Sequence, residues 1–248
     1  VELAYEAREW VPEAAVRLSE AIYEPYSLQS LAIPGAKPHP TTLVQSAAMS
    51  SVAPPKPSYR PHVIPGTVEK GLLSDAQLES VIYAGEAHSA HLSGWWSVDE
   101  TFDVVSAAAE GGEGAHSFRR GWFLGDGTGA GKGRQSAAII LDNWLKGRRK
   151  ALWISKSDKL LEDAQRDWGA LGRERLEVTP LSRFKPGALI TLDEAVLFTT
   201  YATLRSEERG TKKSRIQQIV DWLGRDFDGV IIFDEAHCMQ NAAGGTSE

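Results

Sequence analysis

Hydrophobic positions after residue 120 recur in two alternating patterns, namely short apolar runs and longer segments with a period of three to four residues. The short runs predict strands and the periodic segments predict amphipathic helices. Strands are predicted at 121–124, 151–154, 178–181, 196–200 and 230–233, and helices at 132–145, 157–168 and 214–223. Strands that alternate with helices indicate βαβ units and a mainly parallel sheet, so the predicted fold class is α/β.

Two of these elements carry a specific prediction about burial. The strand at 230–233 is continuously apolar, which is typical of a strand buried on both faces of a parallel sheet. The spacing in the helix at 214–223 predicts that its inward face carries Ile216, Ile219, Val220 and Leu223.

The N-terminal third of the chain has a different character. Val11, Ala15, Leu18 and Ile22 lie at helical spacing and predict a helix over 4–22. Eight prolines then fall between residues 34 and 65, and they predict an extended connector with at most one helical turn near 43–49. Ser74 is expected to cap a further helix with an apolar stripe. We therefore expect an N-terminal helix and proline-rich connector at 1–65 and a nucleotide-binding domain at 66–248.

A glycine-dense segment, GDGTGAGKG at 125–133, joins the first predicted strand to the first long helix. Backbone amides around such a turn bind phosphate oxygens at the positive end of a helix, and glycine lets the backbone approach them closely. The lysine would reach the β- and γ-phosphates of a nucleoside triphosphate. The candidate phosphate-binding residues are Gly127, Thr128, Gly129, Ala130, Gly131, Lys132 and Gly133.

The loop departs from the standard phosphate-loop pattern at two positions. Asp126 replaces the first glycine, and Gly133 replaces the Ser or Thr whose hydroxyl binds magnesium. A glycine-rich hairpin loop is the alternative interpretation of this segment. A dinucleotide-binding fingerprint fits less well, because every register of G-x-G-x-x-G ends on Ala130, Lys132 or Arg134.

Two acids follow the strand at 230–233, at the end where ligands bind in open α/β sheets. Asp234 is the candidate ligand for Mg²⁺ through water, and Glu235 is the candidate general base. His237 lies just beyond and is a candidate for coupling the nucleotide to a neighbouring element. The alternative is an ordinary acidic loop after a core strand.

Composition narrows the class of protein. The 248 residues are 42% hydrophobic and 24% charged, which is ordinary for a globular protein, and no apolar run is long enough to predict a membrane helix. A net charge of −6 argues against a polycationic nucleic-acid binder while allowing local phosphate contacts. The single cysteine, Cys238, predicts a reducing compartment, either the cytoplasm or a nucleus. The chain begins without Met, so we expect a piece of a longer protein.

Several motifs resemble those of a known family. Residues 128–132 (TGAGK) and 234–237 (DEAH) resemble motifs I and II of superfamily 2 helicases. The segments at 123–135, 151–155, 198–204 and 233–241 are more closely similar to the strawberry notch family, and the resemblance covers roughly residue 59 to the end. Gly133 supports it, because that family's loop has the same departure.

The resemblance implies the first RecA-like lobe of a DEAH-box-like ATPase, a P-loop NTPase with a three-layer α/β/α fold that uses ATP and Mg²⁺. By the Q-motif of such proteins, Gln77 would bind the adenine edge; its alternative is a solvated helix glutamine. Segments 155–159 and 200–204 match motifs that contact a DNA or RNA backbone. Without the resemblance, Tyr201 and Thr203 are more typical of a structural strand end than of a nucleic-acid contact.

The same resemblance implies parts that lie outside this chain. These are a second RecA-like lobe with an arginine that stabilises the transition state and, as in some bacterial relatives, an upstream methyltransferase. Two functions then stay open. One is a helicase or translocase whose ATPase activity is stimulated by nucleic acid. The other is an ATP-binding regulatory protein associated with transcription, without strand separation.

Overall fold

The computed structural model describes residues 1–11, 22–101, 104–173, 177–205 and 214–239. Its backbone divides into two compact units. The N-terminal unit comprises Glu2–Pro61 and Ser74–Ala130, and the sheet unit comprises Val1, His62–Leu73 and Gly131–Glu248. The division between them falls inside the glycine-dense segment, after Ala130. The expected boundary near residue 65 stays a prediction.

The N-terminal unit is built from one long helix and short antiparallel strand pairs. The pairs are β1 with β3, β2 with β4, and β5 with β6. The elements are β1 (Glu6–Ala7), β2 (Tyr23–Pro25), β3 (Leu31–Ala32), β4 (Val44–Ser46), α1 (Ala47–Ser50), α2 (Asp75–His88), β5 (Trp95–Val98) and β6 (Val105–Ala108).

Helix α2 forms as the sequence predicts. Ser74 accepts a hydrogen bond from the amide of Gln77, and the Gln77 side chain accepts one from the amide of Ser74, so the two residues close a capping box. The predicted apolar stripe of Leu78, Val81 and Ile82 is buried, at 0–2% exposure. Helix α2 is therefore the core element of this unit.

The predicted helix over 4–22 is wrong at its beginning, where Glu6–Ala7 is a strand that pairs with Leu31–Ala32. These residues pair with a strand far along the chain instead of forming the helix that their local spacing predicts. The rest of that prediction lies largely outside the described residues. In the proline-rich segment the structure has one turn of helix, α1, which Ser46 caps.

The sheet unit is an α/β layer structure. Its elements are α3 (Lys132–Leu145), β7 (Lys150–Ser155), α4 (Leu161–Trp168), β8 (Val178–Pro180), β9 (Ala195–Thr200), α5 (Tyr201–Leu204), α6 (Arg215–Leu223) and β10 (Val230–Phe233). The strands form one parallel sheet in the order β10-β7-β9-β8. The predicted parallel sheet is confirmed.

Alternating side chains of the strands pack on two helical layers. Leu152, Ile154 and Leu197 form one buried cluster with Ile219 and Trp222 of α6. Helices α3 and α4 contact each other, with α3 against β10 and α4 against β8. Their Trp144 and Trp168 rings meet edge to face at 5.8 Å.

Three sequence predictions about these elements are wrong. Residues 121–124 form no strand, and Phe123 is 85% exposed, because a four-residue run between glycines needs a partner strand to become regular. Strand β10 is the last of the described strands on its side of the sheet, so Ile231 and Phe233 are 39% and 49% exposed instead of buried on both faces.

The third error concerns the buried face of α6. Ile216 and Val220 are both 52% exposed, whereas Gln218 and Trp222 are buried beside Ile219. The Gln218 amide donates to the carbonyls of Lys185 and Ala188, and the Trp222 indole donates to that of Leu192. These bonds satisfy the polar groups, so burial costs little and the large Trp ring fills the core.

Within the described ranges, every helix is too short or too polar to cross a lipid bilayer.

Candidate functional site

Three side chains meet at the carboxyl-terminal edge of the parallel sheet. Ser155 ends β7, Tyr201 follows β9, and Asp234 follows β10. The register aligns Ser155 with Thr200 and Phe233 with Ile154, so these residues are brought to one edge. The Ser155 hydroxyl donates to the Asp234 carboxylate at 2.9 Å, and the Asp234 amide donates to the Ile154 carbonyl at 2.8 Å.

Tyr201 fixes the backbone of the same acid from the other side. Its hydroxyl donates to the Asp234 carbonyl at 2.8 Å, and its side chain is 9% exposed. Burial, followed by the Asp234 carboxylate, raises the pKa of Tyr201 to about 12. The phenol therefore stays protonated at neutral pH and remains a donor.

Glu235 directly follows Asp234 and has an unusual backbone conformation. Its φ of 53° is in the left-handed region that residues other than glycine rarely adopt, and its carbonyl accepts from the Cys238 amide. The half-exposed carboxylate is 3.7 Å from Lys156 Nζ and 3.3 Å from His237 Nδ1. Such exposed pairs add little stability, so they orient the acid more than they stabilise the fold.

Helix α3 begins at the end of the glycine-dense segment. Gly131 is left-handed, with φ 74° and ψ 45°, and being glycine it offers no side chain to cap the helix. Lys132 is the first helical residue and is partly exposed. A helix N-terminus of this kind carries a partial positive charge that favours phosphate.

A carboxylate lies close to position 133, where glycine has no side chain. A Cβ placed on Gly133 would lie 2.3 Å from Oδ2 of Asp167, a residue of α4. Asp167 is 14% exposed, and Arg134 and Arg166 approach it to 3.5 Å and 3.9 Å. Burial raises the pKa of Asp167, and the two arginines oppose that rise. Glycine at 133 is therefore what lets this acid reach the first turn of α3.

The N-terminal unit holds the remaining predicted residues. Gly127, Thr128 and Gly129 are exposed, and Gly129 has φ 93°. Ala130 is buried and its carbonyl accepts from the Gln77 side chain at 3.2 Å. Gln77 is thus a buried residue that joins the helix cap to the loop, and not a solvated one. Its contact with adenine stays a prediction.

The structure brings some of these residues together and identifies others that the sequence did not. Within the sheet unit, Glu235 and His237 are adjacent. Ser155 and Tyr201 lie in segments that the resemblance predicted to contact nucleic acid, and their bonds to Asp234 were not predicted. The sequence also gave no indication that Asp167 approaches Gly133.

Comparison with known proteins decides the family. The sequence model described as P-loop containing NTP hydrolase pore-1 matches residues 38–248. The chain belongs to that family. Protein strawberry notch of Drosophila melanogaster is 40% identical over 214 residues, which cover 83% of this chain and 12% of that protein. The predicted strawberry notch resemblance is therefore confirmed, and the fold is that of a RecA-like P-loop NTPase.

Other relatives give the same result. Protein strawberry notch homolog 1 of Homo sapiens is 37% identical over 82% of this chain and 14% of its own length. Protein FORGETTER 1 of Arabidopsis thaliana is 38% identical over 82% of the chain and 14% of its own length. The chain therefore spans about an eighth to a seventh of these relatives. No solved structure matches it.

Proposed function

We propose that this chain binds ATP and supports its Mg²⁺-dependent hydrolysis, as the first lobe of a helicase-like enzyme that acts on nucleic acid. The observation that carries the proposal is the pair Asp234 and Glu235 at the carboxyl edge of the sheet, where the side chains of Ser155 and Tyr201 each donate a hydrogen bond to Asp234. The same unit contains Lys132 at the start of α3. Membership of a P-loop NTPase family supports nucleotide as the ligand.

The residues fit a magnesium ion. Ser155 uses one Asp234 oxygen, and the partly exposed carboxylate keeps further acceptor capacity for an ion or its water. Mg²⁺ needs only one or two carboxylates beside water and phosphate oxygens. Asp234 would hold the ion, which neutralises developing charge on the phosphates when bound.

The remaining steps fall to residues of this chain. Lys132 binds phosphate oxygens through its ammonium group, and the backbone of 127–131 donates amides to them. Glu235 orients the attacking water and takes its proton. His237, whose ring lies beside the Glu235 carboxylate, couples the nucleotide to a neighbouring element. Ser155 and Tyr201 orient Asp234 through their hydrogen bonds.

The first test replaces the lysine of the phosphate loop. Lys132→Ala removes a charge-assisted contact of roughly 1.5–3 kcal/mol, so ATP affinity is expected to fall about 10- to 100-fold in a calorimetric titration. Lys185→Ala is the matched control, because Lys185 is an exposed lysine in the loop before β9. Unchanged ATP binding in Lys132→Ala would refute the phosphate-loop assignment.

The second test separates binding from chemistry. Glu235→Gln keeps the size of the side chain and removes its ability to accept a proton, so ATP is expected to bind while hydrolysis by the full-length protein is abolished. Glu194→Gln is the control, since Glu194 is an exposed acid at the opposite edge of the sheet. Turnover that survives Glu235→Gln would mean that the base is another residue.

Gly133 favours a second candidate function. Without the magnesium hydroxyl of the standard loop, the chain would bind ATP and turn it over slowly, so that the nucleotide sets a conformation instead of driving movement. This candidate is a regulatory protein without strand-separating activity. Its hydrolysis rate would not respond to DNA or RNA, which is the measurement that distinguishes the two.

A further inference from the structure

A short segment of the N-terminal unit lies on helix α2 and is fastened to it by two side-chain contacts. This segment, residues 22–30, contains β2 and is called the arm. The Tyr26 hydroxyl donates to the Glu79 carboxylate, and Ser30 Oγ lies 2.7 Å from the Tyr83 hydroxyl. Glu79 and Tyr83 are four residues apart on α2, so both contacts lie on one face of the helix.

The first of these contacts holds a carboxyl group away from water. Glu79 is 7% exposed. Among the described residues, the charged groups that act on it are acids, namely Asp75 on α2 and Asp126 in the glycine-dense segment. The phenols of Tyr26 on the arm and Tyr83 on α2 face it as well. Because burial removes hydration and acids repel a carboxylate, this interface favours the neutral carboxyl group.

The arm is a part of this unit that can open by itself. Ile22 and Tyr23 are 74% and 64% exposed, and β2 forms a two-stranded pair with β4, which is marginal without further packing. Leu31, directly after the arm, is 1% exposed and anchors the chain in the core. Helix α2 buries its apolar stripe, so release of the arm needs less free energy than unfolding of the helix.

We propose that Glu79 is a proton-controlled latch, which keeps the arm on α2 while its carboxyl group is neutral and releases the arm more often once the group ionises. Release lets water reach the carboxylate, which then recovers its hydration. The inference concerns the conformation of the N-terminal unit and does not depend on the proposed ATP-binding function.

The direction of the pH effect follows from the two states of Glu79. Burial raises its pKa on α2 from 4.5 to about 7; the Tyr26 bond opposes the rise, and Asp75 and Asp126 add to it. With the arm released, the hydrated group ionises above about pH 4.5. Between about 4.5 and 7, release is coupled to the loss of a proton, so the released fraction rises with pH and levels off above about 7.

Hydrogen exchange of the full-length protein without nucleotide measures release, with mass spectrometry of the arm at pH 5 and pH 8. The wild type is compared with Glu79→Gln at each pH, because the intrinsic exchange rate then cancels. The rate in the wild type relative to Glu79→Gln is expected to rise roughly 30- to 100-fold from pH 5 to pH 8. Glu110→Gln, which changes an exposed acid of the same unit, is the matched control and should exchange like the wild type.

Urea distinguishes release of the arm from unfolding of the whole unit. Local release exposes little surface, so exchange of the arm should be faster than that of α2 and nearly independent of low urea concentrations. Exchange of α2 should accelerate as urea is added. If the arm and α2 exchange at the same rate with the same urea dependence, Glu79 acts through unfolding of the unit and the latch is refuted.

Two further variants keep the proposal testable if Glu79→Gln does not fold. Ser30→Ala removes the second contact and should accelerate exchange of the arm equally at both pH values, because burial raises the pKa of the Tyr83 phenol above this range. Asp126→Asn removes a charge that disfavours ionised Glu79. Its arm should exchange like the wild type at pH 5 and more slowly at pH 8.

Three results would overturn the inference. The first is a rate relative to Glu79→Gln that is the same at pH 5 and pH 8. The second is equal behaviour of the arm and α2 in urea. The third is an Asp126→Asn arm that exchanges like the wild type at pH 8, since a purely structural role of Glu79 would not respond to that charge.

Discussion

Glu79 in α2 shows how one buried residue can control stability. It is 7% exposed, and burial raises its pKa to about 7, with Asp75 and Asp126 adding to the rise. The Tyr26 hydroxyl donates to its carboxylate and opposes that rise in part. Burial first, and then Glu79, raise the pKa of Tyr26, so the phenol remains the donor. In the folded protein Glu79 therefore stays protonated up to about pH 7, whereas in the unfolded chain it ionises above about pH 4.5.

The sign of the pH effect follows from that difference. Below about pH 4.5 both states are protonated; between about 4.5 and 7 only the unfolded state ionises, so the free energy of unfolding falls as pH rises. Above about pH 7 the free energy of unfolding has fallen by the full amount, on the order of 3 kcal/mol. Glu79→Gln keeps an acceptor for Tyr26 and should abolish this dependence.

Urea unfolding at pH 5 and pH 8 measures the effect. Glu79→Gln is expected to be more stable than the wild type at pH 8 and similar at pH 5. Glu110→Gln, an exposed acid of the same unit, is the control and should track the wild type at both values. A wild-type protein equally stable at both pH values would contradict the prediction.

At the scale of elements, helix α2 packs so closely against residue 59 that a side chain at position 85 would collide with it. A Cβ on Gly85 would lie 1.9 Å from the Tyr59 ring. The end of the proline-rich segment is fixed there as well, because the Glu86 carboxylate accepts hydrogen bonds from the amides of Ser58 and Tyr59. Thus α2 orders a stretch that the sequence describes only as irregular.

Gly85→Ala tests that contact. Alanine normally stabilises a helix interior relative to glycine, yet here overpacking should cost about 1–3 kcal/mol in the free energy of unfolding. Gly121→Ala, at an exposed position of the same unit, is the control. The loss should shrink when Tyr59→Ala is combined with Gly85→Ala, because the clash is then absent. Equal stability of Gly85→Ala and the wild type would show that Tyr59 does not occupy this place.

At the scale of the whole molecule, the chain spans only a small share of the length of its relatives. The match covers 12% of the Drosophila relative. The proposed function expects a second lobe whose arginine stabilises the transition state. Such a residue contributes about 10³–10⁵ in rate in related phosphoryl-transfer enzymes. We therefore expect this chain alone to hydrolyse ATP far more slowly than the full-length protein.

Nucleic acid provides the test at this scale. The full-length protein is expected to hydrolyse ATP faster when single- or double-stranded DNA or RNA is present, with stimulation that weakens as salt rises. Glu235→Gln with the same nucleic acids controls for contaminating ATPase activity. A rate that no nucleic acid changes would select the regulatory candidate over the motor.

Much of the fold could be predicted from patterns that span only a few residues of the sequence. The three-to-four-residue periodicity of α3, the apolar runs of β7 and β9, and the Ser74 cap act within a few residues of sequence, so they survive in the structure. The glycine-dense segment and the acids after β10 were predictable for the same reason. By contrast, a run that needs a partner, such as 121–124, was not.

The sequence alone determined the family, the order of strands and helices along the chain and the candidate acids, because each depends on nearby residues. Only the tertiary structure decided that Ser155 and Tyr201 hold Asp234, that α6 buries Gln218 and Trp222, and that Asp167 reaches Gly133. Those contacts join positions far apart in sequence. They depend on which strands become neighbours and how helices pack, which local periodicity does not encode.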